Sequence, residues 1–564
     1  GRAFEVGGSG TTLTLRRFTI HGFDAGSGAA GGAVNNQGQT LVLEEMVLDA
    51  NEGNASGAIG ASGSPTVVIE DSTLSDNVAT SSSFALGGAV GSNVRELKLT
   101  DVTFMRNHSE GNGGAIGTDG ANQLVNMDNV TLVNNTAAGH GGGFYLGADT
   151  DVNIRNTIIS DNRVGGDGAE CAQADGLTLT GSTDYNLWGP GGSCFGSLGN
   201  NSIESSDPGL GLAGFYDGST ESLPPLAGSP AIDSGSCQNL AGTNISANKD
   251  QRQSTATRNA DGDGDGTQAC DIGAVERQRT AIQVDAVADT DDALLGDGSC
   301  ADAEGQCTLR AAIDETNATP GLDVIQLGSG EYVLTKAGND EDGNATGDLD
   351  IRDSVILIGK GADDTVINAD GLDRALHVPS EGSDQEKTLG LHSLAVKSGD
   401  NVVNDGAPSG KKAGGGVHVR GKNNEPNQLV ADSVHFYDNR AGDATNDSNI
   451  DGGAISVTSG TLRLMRSTLS SNEAERSGSG IYLGGGSRGW IQSTTVTGNS
   501  AGNGDAVSVG GGSEAHLERV TIADNEGLST AVGSSGRITA HNSIIGVGGN
   551  NPCDFFTGDG LVSL

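Results

Sequence analysis

One skeleton recurs nine times along this chain: an apolar residue, one gap, an apolar residue, four gaps, an apolar residue, two gaps and an asparagine. Full copies are Leu41, Leu43, Leu48, Asn51, then Val67, Ile69, Leu74, Asn77, then Leu97, Leu99, Phe104, Asn107, and so on through Val125, Met127, Leu132, Asn135 and Val152, Ile154, Ile159, Asn162. The second half carries Leu462, Leu464, Leu469, Asn472 and Ala515, Leu517, Ile522, Asn525, with weaker copies ending at Asn439 and Asn499. In the first half the asparagines follow one another at 26, 30, 28 and 27 residues. A period of this length with strand-like alternation inside it specifies a solenoid.

The apolar pair separated by one residue has period 2, so both side chains leave one strand on the same face. The third apolar residue lies beyond a bend. The asparagine is expected to close the next turn, because it tolerates the left-handed region and its amide bonds nearby backbone. After a variable loop, a further strand opens Gly-Gly-Ala-aliphatic, as at Gly31–Val34, Gly87–Val90, Gly113–Ile116 and Gly452–Ile455. Three short strands and three turns make one coil of a right-handed parallel β-helix. Its coils are spaced by about 4.8 Å, and its asparagines stack into an amide ladder. The fold class is therefore all-β, with two solenoid lobes in tandem.

With 93 glycines among 564 residues but only 11 prolines and no Gly-X-Y period, the collagen reading fails. The periodic apolar residues exclude a disordered chain. No apolar run is long enough to span a bilayer.

A longer repeat overlies the coils. Gly1–Val6 resembles Asp373–Val378, and Asn156–Cys171 resembles Asn542–Cys553. Both anchors give a period near 380 residues, so the chain reads as about one and a half units, beginning and ending within coils. Seven cysteines fit this reading. Nearest neighbours pair as Cys171 with Cys194, Cys237 with Cys270 and Cys300 with Cys307, while Cys553 takes the place of Cys171 in the second unit. Disulfides imply an oxidising, extracellular compartment.

Residues from about 200 to 335 break the coil pattern. Asp207–Gly211, Leu226–Gly235, Asp250–Arg252 and Cys270–Glu276 in this order resemble the "choice-of-anchor Q" region of secreted bacterial β-helix proteins. Cys307–Ile313 and Asn317–Thr335 resemble the CSLREA domain that opens such proteins, with Thr308 and Ala311 departing from its Ser and Glu. The Gly-Gly-Ala and Phe-x-x-Asn elements (Phe104–Asn107, Phe436–Asn439) are similar to polymorphic outer-membrane adhesin repeats. The resemblance implies a secreted or cell-surface bacterial β-helix. The expected division is a first lobe at 1–205, an anchor-like junction at 206–279, a cap of the next unit at 280–335 and a second lobe at 336–564. Thr308–Asn317 reads as an amphipathic helix, with Leu309, Ala312 and Ile313 on one face to plug the open end of a coil stack.

The formal net charge of −42 excludes nucleic acid as a default partner and favours cations. In Asn259–Asp265, carboxylates alternate with glycine. Asp261, Asp263 and Asp265, with Asn259 as a fourth donor, resemble the first half of a Ca²⁺ loop, although the position of the closing glutamate holds Ile272. Asp340–Asp350 is a second acidic cluster, and Asp289–Asp292 beside Asp297 a third.

A catalytic set is harder to find. Arg155, Arg463 and Arg519 fall in the stretch after the strand pair that also carries Glu44, Glu45, Glu70, Asp71 and Asp128, and these read as solvated outward charges. The nine histidines are scattered without metal-type spacing, and Trp188 and Trp490 read as core or cap residues. The expectation is therefore a non-enzyme: an extracellular structural or adhesive solenoid that associates head to tail into a rod or filament. The alternatives are a Ca²⁺-dependent module contacting a cell surface or glycan, and a polysaccharide lyase or hydrolase on a β-helix.

Overall fold

The computed structural model describes all residues except 9, 27–29, 39, 84–85, 121–122, 148–149, 166–168, 175–182, 191–197, 254–256, 339–340, 381–385, 403–412, 423–425, 443–450, 503, 528–531 and 548–564. Cys194 and Cys553 thus lie outside the described residues. The chain divides into two compact units, Gly1–Thr280 and Ala281–Leu564.

In the first unit the strands stack strictly in parallel. Leu41, Val67, Leu97, Val125 and Val152 sit in register from coil to coil. So do Leu48, Leu74, Phe104, Leu132 and Ile159. All ten are fully buried, which makes these two files of the core aliphatic apart from Phe104. The Gly-Gly-Ala opening has a steric reason. A Cβ on Gly88 would lie 2.1 Å from the Gly114 carbonyl oxygen, and one on Gly114 would lie 1.9 Å from that of Gly142. Only glycine allows the coils to close to strand spacing there.

The amide ladder is present. Asn51, Asn77, Asn107 and Asn135 each donate from Nδ2 to Oδ1 of the next asparagine at 2.9–3.0 Å, ending on Asn162. Asn162 in turn donates to Glu170 Oε2 at 2.7 Å. The turn chemistry differs from expectation. The left-handed residue is the one before each asparagine: Ala50, Asp76, Arg106, Asn134 and Asp161, with φ between 52° and 60°. That residue absorbs the backbone reversal, and the asparagine is freed to point inward with its amide fully bonded.

Residues 206–280 form no coil. Antiparallel bridges, such as Gly214 with Ser222 and Gly235 with Cys270, and the Cys237–Cys270 disulfide shape this stretch into an irregular strap. It packs on the outer face of the coils within the first unit. Gln251 accepts from Thr103 Oγ1 at 2.6 Å and donates to Thr73 and Thr220 hydroxyls and the Glu221 carbonyl at 2.9–3.1 Å. Arg258, fully buried, binds Asp101 and the Gly273 and Ala274 carbonyls.

The second unit has parallel sheets of nine, eight, seven and five strands among its described residues. Its amide ladder runs Asn439, Asn472, Asn499, Asn525 at 2.8–3.0 Å. The Cys300–Cys307 disulfide precedes the helix Leu309–Ala318, whose N-cap Thr308 accepts from the Ala311 amide at 3.1 Å. Leu309, Ala312 and Ile313 pack in one core with Ile325, Leu327 and Leu357, so the helix closes one end of the stack. The first coil begins at strand Asp323–Gln326, which pairs with Val355–Ile358.

Candidate functional site

In the seven-stranded sheet of the second unit, Leu349, Leu376, Val417, Ile455 and Ile481 occupy one register position and point into the core. The next residue of each strand therefore points outward: Asp350, His377, His418, Ser456 and Tyr482. An outward file should be wet, yet Asp350, His377, His418 and Ser456 are all buried.

A loop over residues 341–348 approaches Asp350 and His377. The cap helix holds this loop: Arg310 donates to the carbonyls of Asn344, Gly347 and Asp348 at 2.8–3.1 Å, and Asp289 balances its charge at 2.6 Å. Asn344 and Asp350 exchange two hydrogen bonds: the Asn344 amide donates to Asp350 Oδ2 at 3.0 Å, and the Asp350 amide to Asn344 Oδ1 at 3.1 Å.

The loop brings Asp342 to the file. His377 Nδ1 lies 3.0 Å from Asp350 Oδ1 and 3.5 Å from Asp342 Oδ1. One ligand atom from each of the three residues lies within 4.8 Å of the other two. The His418 ring stacks on His377, with centroids 5.3 Å apart and planes 14° apart. Burial, reinforced by the neighbouring Asp348 carboxylate, pushes Asp350 up to about 9. Burial, with Arg374 and Arg420 nearby, pushes His418 down to about 3, so that ring is neutral. Asp348 pairs with Arg374. The group can hold or move a proton between oxygen and nitrogen, or bind a cation.

The expected Ca²⁺ ligands are only partly assembled. Asp261 accepts from the Gly264 and Gly266 amides, Asp263 from Asp265 and Asp265 from Thr267, so each carboxylate bonds its own loop. Asp261 and Asp263 converge with Asp233, which comes from a separate turn. Asp265 and Asn259 are not in that group; Asn259 Nδ2 donates to Gln268 at 3.4 Å.

Arg519 is exposed as expected, but several of the outward charges are less solvated. Asp128 accepts from the strap amide of Leu240 at 2.8 Å, and Arg155 donates to Asn239 O at 2.9 Å. Arg463 is buried, with its guanidinium 4.6 Å from the Trp490 centroid, and His516 stacks on the same indole at 5.9 Å. Trp490 therefore faces outward rather than inward. Its neighbours come from the preceding and following coils, so both indole faces are covered and only its edge is open. Trp188 is core, fully buried.

His377 and His418 escape a search for local motifs because their partners lie in other coils. The strands of Asp350 and His377 lack the Gly-Gly opening that precedes His418 at Gly414–Val417, so the coil motif does not align the three in sequence.

No protein-family model and no curated protein matches the chain, so the anchor and CSLREA resemblance has no support beyond the residues that suggested it. Among solved structures, the chain is similar to a PL6 family alginate lyase, AlyGC. The identity is 11% and the TM-score 0.23, with 94% of this chain and 85% of that one covered. A point mutant of the same lyase aligns at 9% identity and TM-score 0.19 over 93% and 95%. At these scores the likeness carries no argument about a reaction. These neighbours are nevertheless enzymes, so the expectation of a non-enzyme is corrected and activity is judged on the chemistry of the site.

Proposed function

We propose that the chain is an extracellular polysaccharide-cleaving β-solenoid whose proton-transfer centre is the Asp342, Asp350 and His377 group. The observation that supports this reading is the convergence of two carboxylates and an imidazole on the outer face of a coil sheet. Cleaving a glycosidic bond needs a proton donor and a proton acceptor in one place. Asp350 orients the His377 ring through Nδ1, and Asp342, with 23% of its side chain exposed, connects the group to solvent. The Cys237–Cys270 and Cys300–Cys307 disulfides are consistent with an oxidising compartment.

The substrate class follows from charge. A net charge of −42 repels a polyuronate, so a neutral or amino-sugar polymer is favoured, and hydrolysis over β-elimination. The test is incubation with neutral, amino-sugar and acidic polysaccharides. New reducing ends report cleavage, and ultraviolet absorbance reports the unsaturated ends that only elimination makes. Reducing ends without unsaturation are expected, and His377→Ala should abolish them with an unchanged circular dichroism spectrum. Release of no product from any polymer, or undiminished release by His377→Ala, refutes the reading.

A further inference from the structure

We infer that Asp342, Asp350 and His377 form a binding site for one divalent first-row transition ion of the Zn²⁺ or Mn²⁺ type. The inference concerns the same side chains as the proposed cleavage but does not depend on it. Both carboxylate oxygens face a single nitrogen, His377 Nδ1, at 3.0 and 3.5 Å. Donors bonded to a common ion at about 2.0–2.2 Å stand roughly 3–3.5 Å from one another; His377 Nδ1 stands at such a distance from each oxygen, and all three atoms lie within 4.8 Å of one another.

The supports have the pattern of a metal site. The second oxygen of Asp350 is fixed by the Asn344 amide at 3.0 Å, and Arg310 of the cap helix fixes the Asn344 loop in turn. Outer bonds of this kind orient ligands before an ion arrives. A second observation points the same way. His418 is 2% exposed, stacks on His377, and its Nδ1 has no hydrogen-bond partner among the described residues. A buried, unpaired imidazole nitrogen is costly unless something binds it. It belongs to the ring that stacks on His377, next to the three donors. The Arg374 guanidinium nearby is engaged by Asp348.

The donor set selects the ion. Ca²⁺ and Mg²⁺ take oxygen ligands, whereas imidazole suits zinc and its first-row neighbours. The Asp233, Asp261 and Asp263 group offers only carboxylates and serves as the internal comparison.

The experiment is calorimetric titration of chelator-treated full-length chain with Zn²⁺, Mn²⁺ and Ca²⁺, together with the visible absorption spectrum of the Co²⁺-loaded protein. One Zn²⁺ or Mn²⁺ per chain is expected, with a Co²⁺ band that His377→Ala removes. Asp342→Asn alters a partly exposed side chain, so its folding is not in question, and it should weaken binding at least tenfold. The double variant Asp261→Asn with Asp263→Asn should leave the affinity unchanged. Three results overturn the inference: no saturable ion, wild-type affinity in Asp342→Asn, or loss of binding in the double variant. Ion binding without glycan cleavage refutes the proposed function alone, and cleavage without ion binding refutes this inference alone.

Discussion

Replacing Asn107 with alanine should destabilise the first unit by about 3–5 kcal/mol. Its side chain is fully buried at the middle of the ladder. Oδ1 accepts from the Asn77 backbone amide at 3.1 Å and from Asn77 Nδ2 at 2.9 Å. Nδ2 donates to Asn135 Oδ1 and to the Leu74 carbonyl, both at 2.9 Å. Alanine leaves the Asn77 backbone amide without an acceptor and takes one partner each from Asn77 Nδ2, Asn135 Oδ1 and Leu74 O. Each buried polar group left unpaired costs about 1–3 kcal/mol; the Asn77 amide bears most of this, since Asn77 Nδ2 keeps Leu48 O and Asn135 Oδ1 keeps the Asn107 amide. Asn525→Ala is the control. It ends the ladder of the second unit, is only partly buried, and donates to the Val496 and Ala523 carbonyls rather than to a further asparagine, so its cost should be nearer 1–2 kcal/mol. Each unit contains one tryptophan, Trp188 and Trp490. Urea unfolding followed by fluorescence therefore reports the first unit in a Trp490→Phe background and, for the Asn525→Ala control, the second unit in a Trp188→Phe background. A loss below about 1 kcal/mol for Asn107→Ala would show that the ladder is ornamental and that aliphatic packing alone holds the coils.

Two further outcomes follow from the first unit. Burial pushes Asp101, Glu170 and Asp271 up to about 7 and Asp71 to about 8. These acids hold protons more tightly folded than unfolded, so their stabilising effect is complete below about pH 4 and is lost as pH rises to about 8. Glu170 alone accounts for about 3 kcal/mol of that fall. Urea midpoints at pH 5 and pH 8 measure the fall, and Glu170→Gln, which keeps an acceptor for Asn162, should flatten it; an unchanged slope in that variant counts against the assignment. Gln251→Ala removes two bonds from the strap to the coils, at Thr73 and Thr103, and two within the strap, at Thr220 and Glu221, and should cost about 2–4 kcal/mol, with faster amide exchange over 206–280 than in the coils. Uniform exchange across the unit would mean the strap is not held this way.

The coil architecture was legible because its cause is local and repeated. Each coil must place three apolar side chains inward and one amide at the corner, so Leu97, Leu99, Phe104 and Asn107 carry the same information as their counterparts above and below. The cap helix was legible for the same reason, through Leu309, Ala312 and Ile313 on one face. Which residue takes the left-handed turn was not: Asn tolerates positive φ better than predecessors such as Ala50 and Arg106, and only the inward hydrogen bonds of the ladder override that local preference. The strap's place was hidden because Gln251 and Arg258 meet partners, Thr103 and Asp101, about 150 residues away in sequence. The candidate site combines both cases. The sequence marked Asp340–Asp350 as acidic and placed the alternating strands. Only strand register set His377 beside Asp350, and only the Arg310 clamp on the loop carried Asp342 to them. A repeat specifies its own periodic contacts, whereas a site on its surface is made where loops break the period, and loop positions are decided by tertiary contacts.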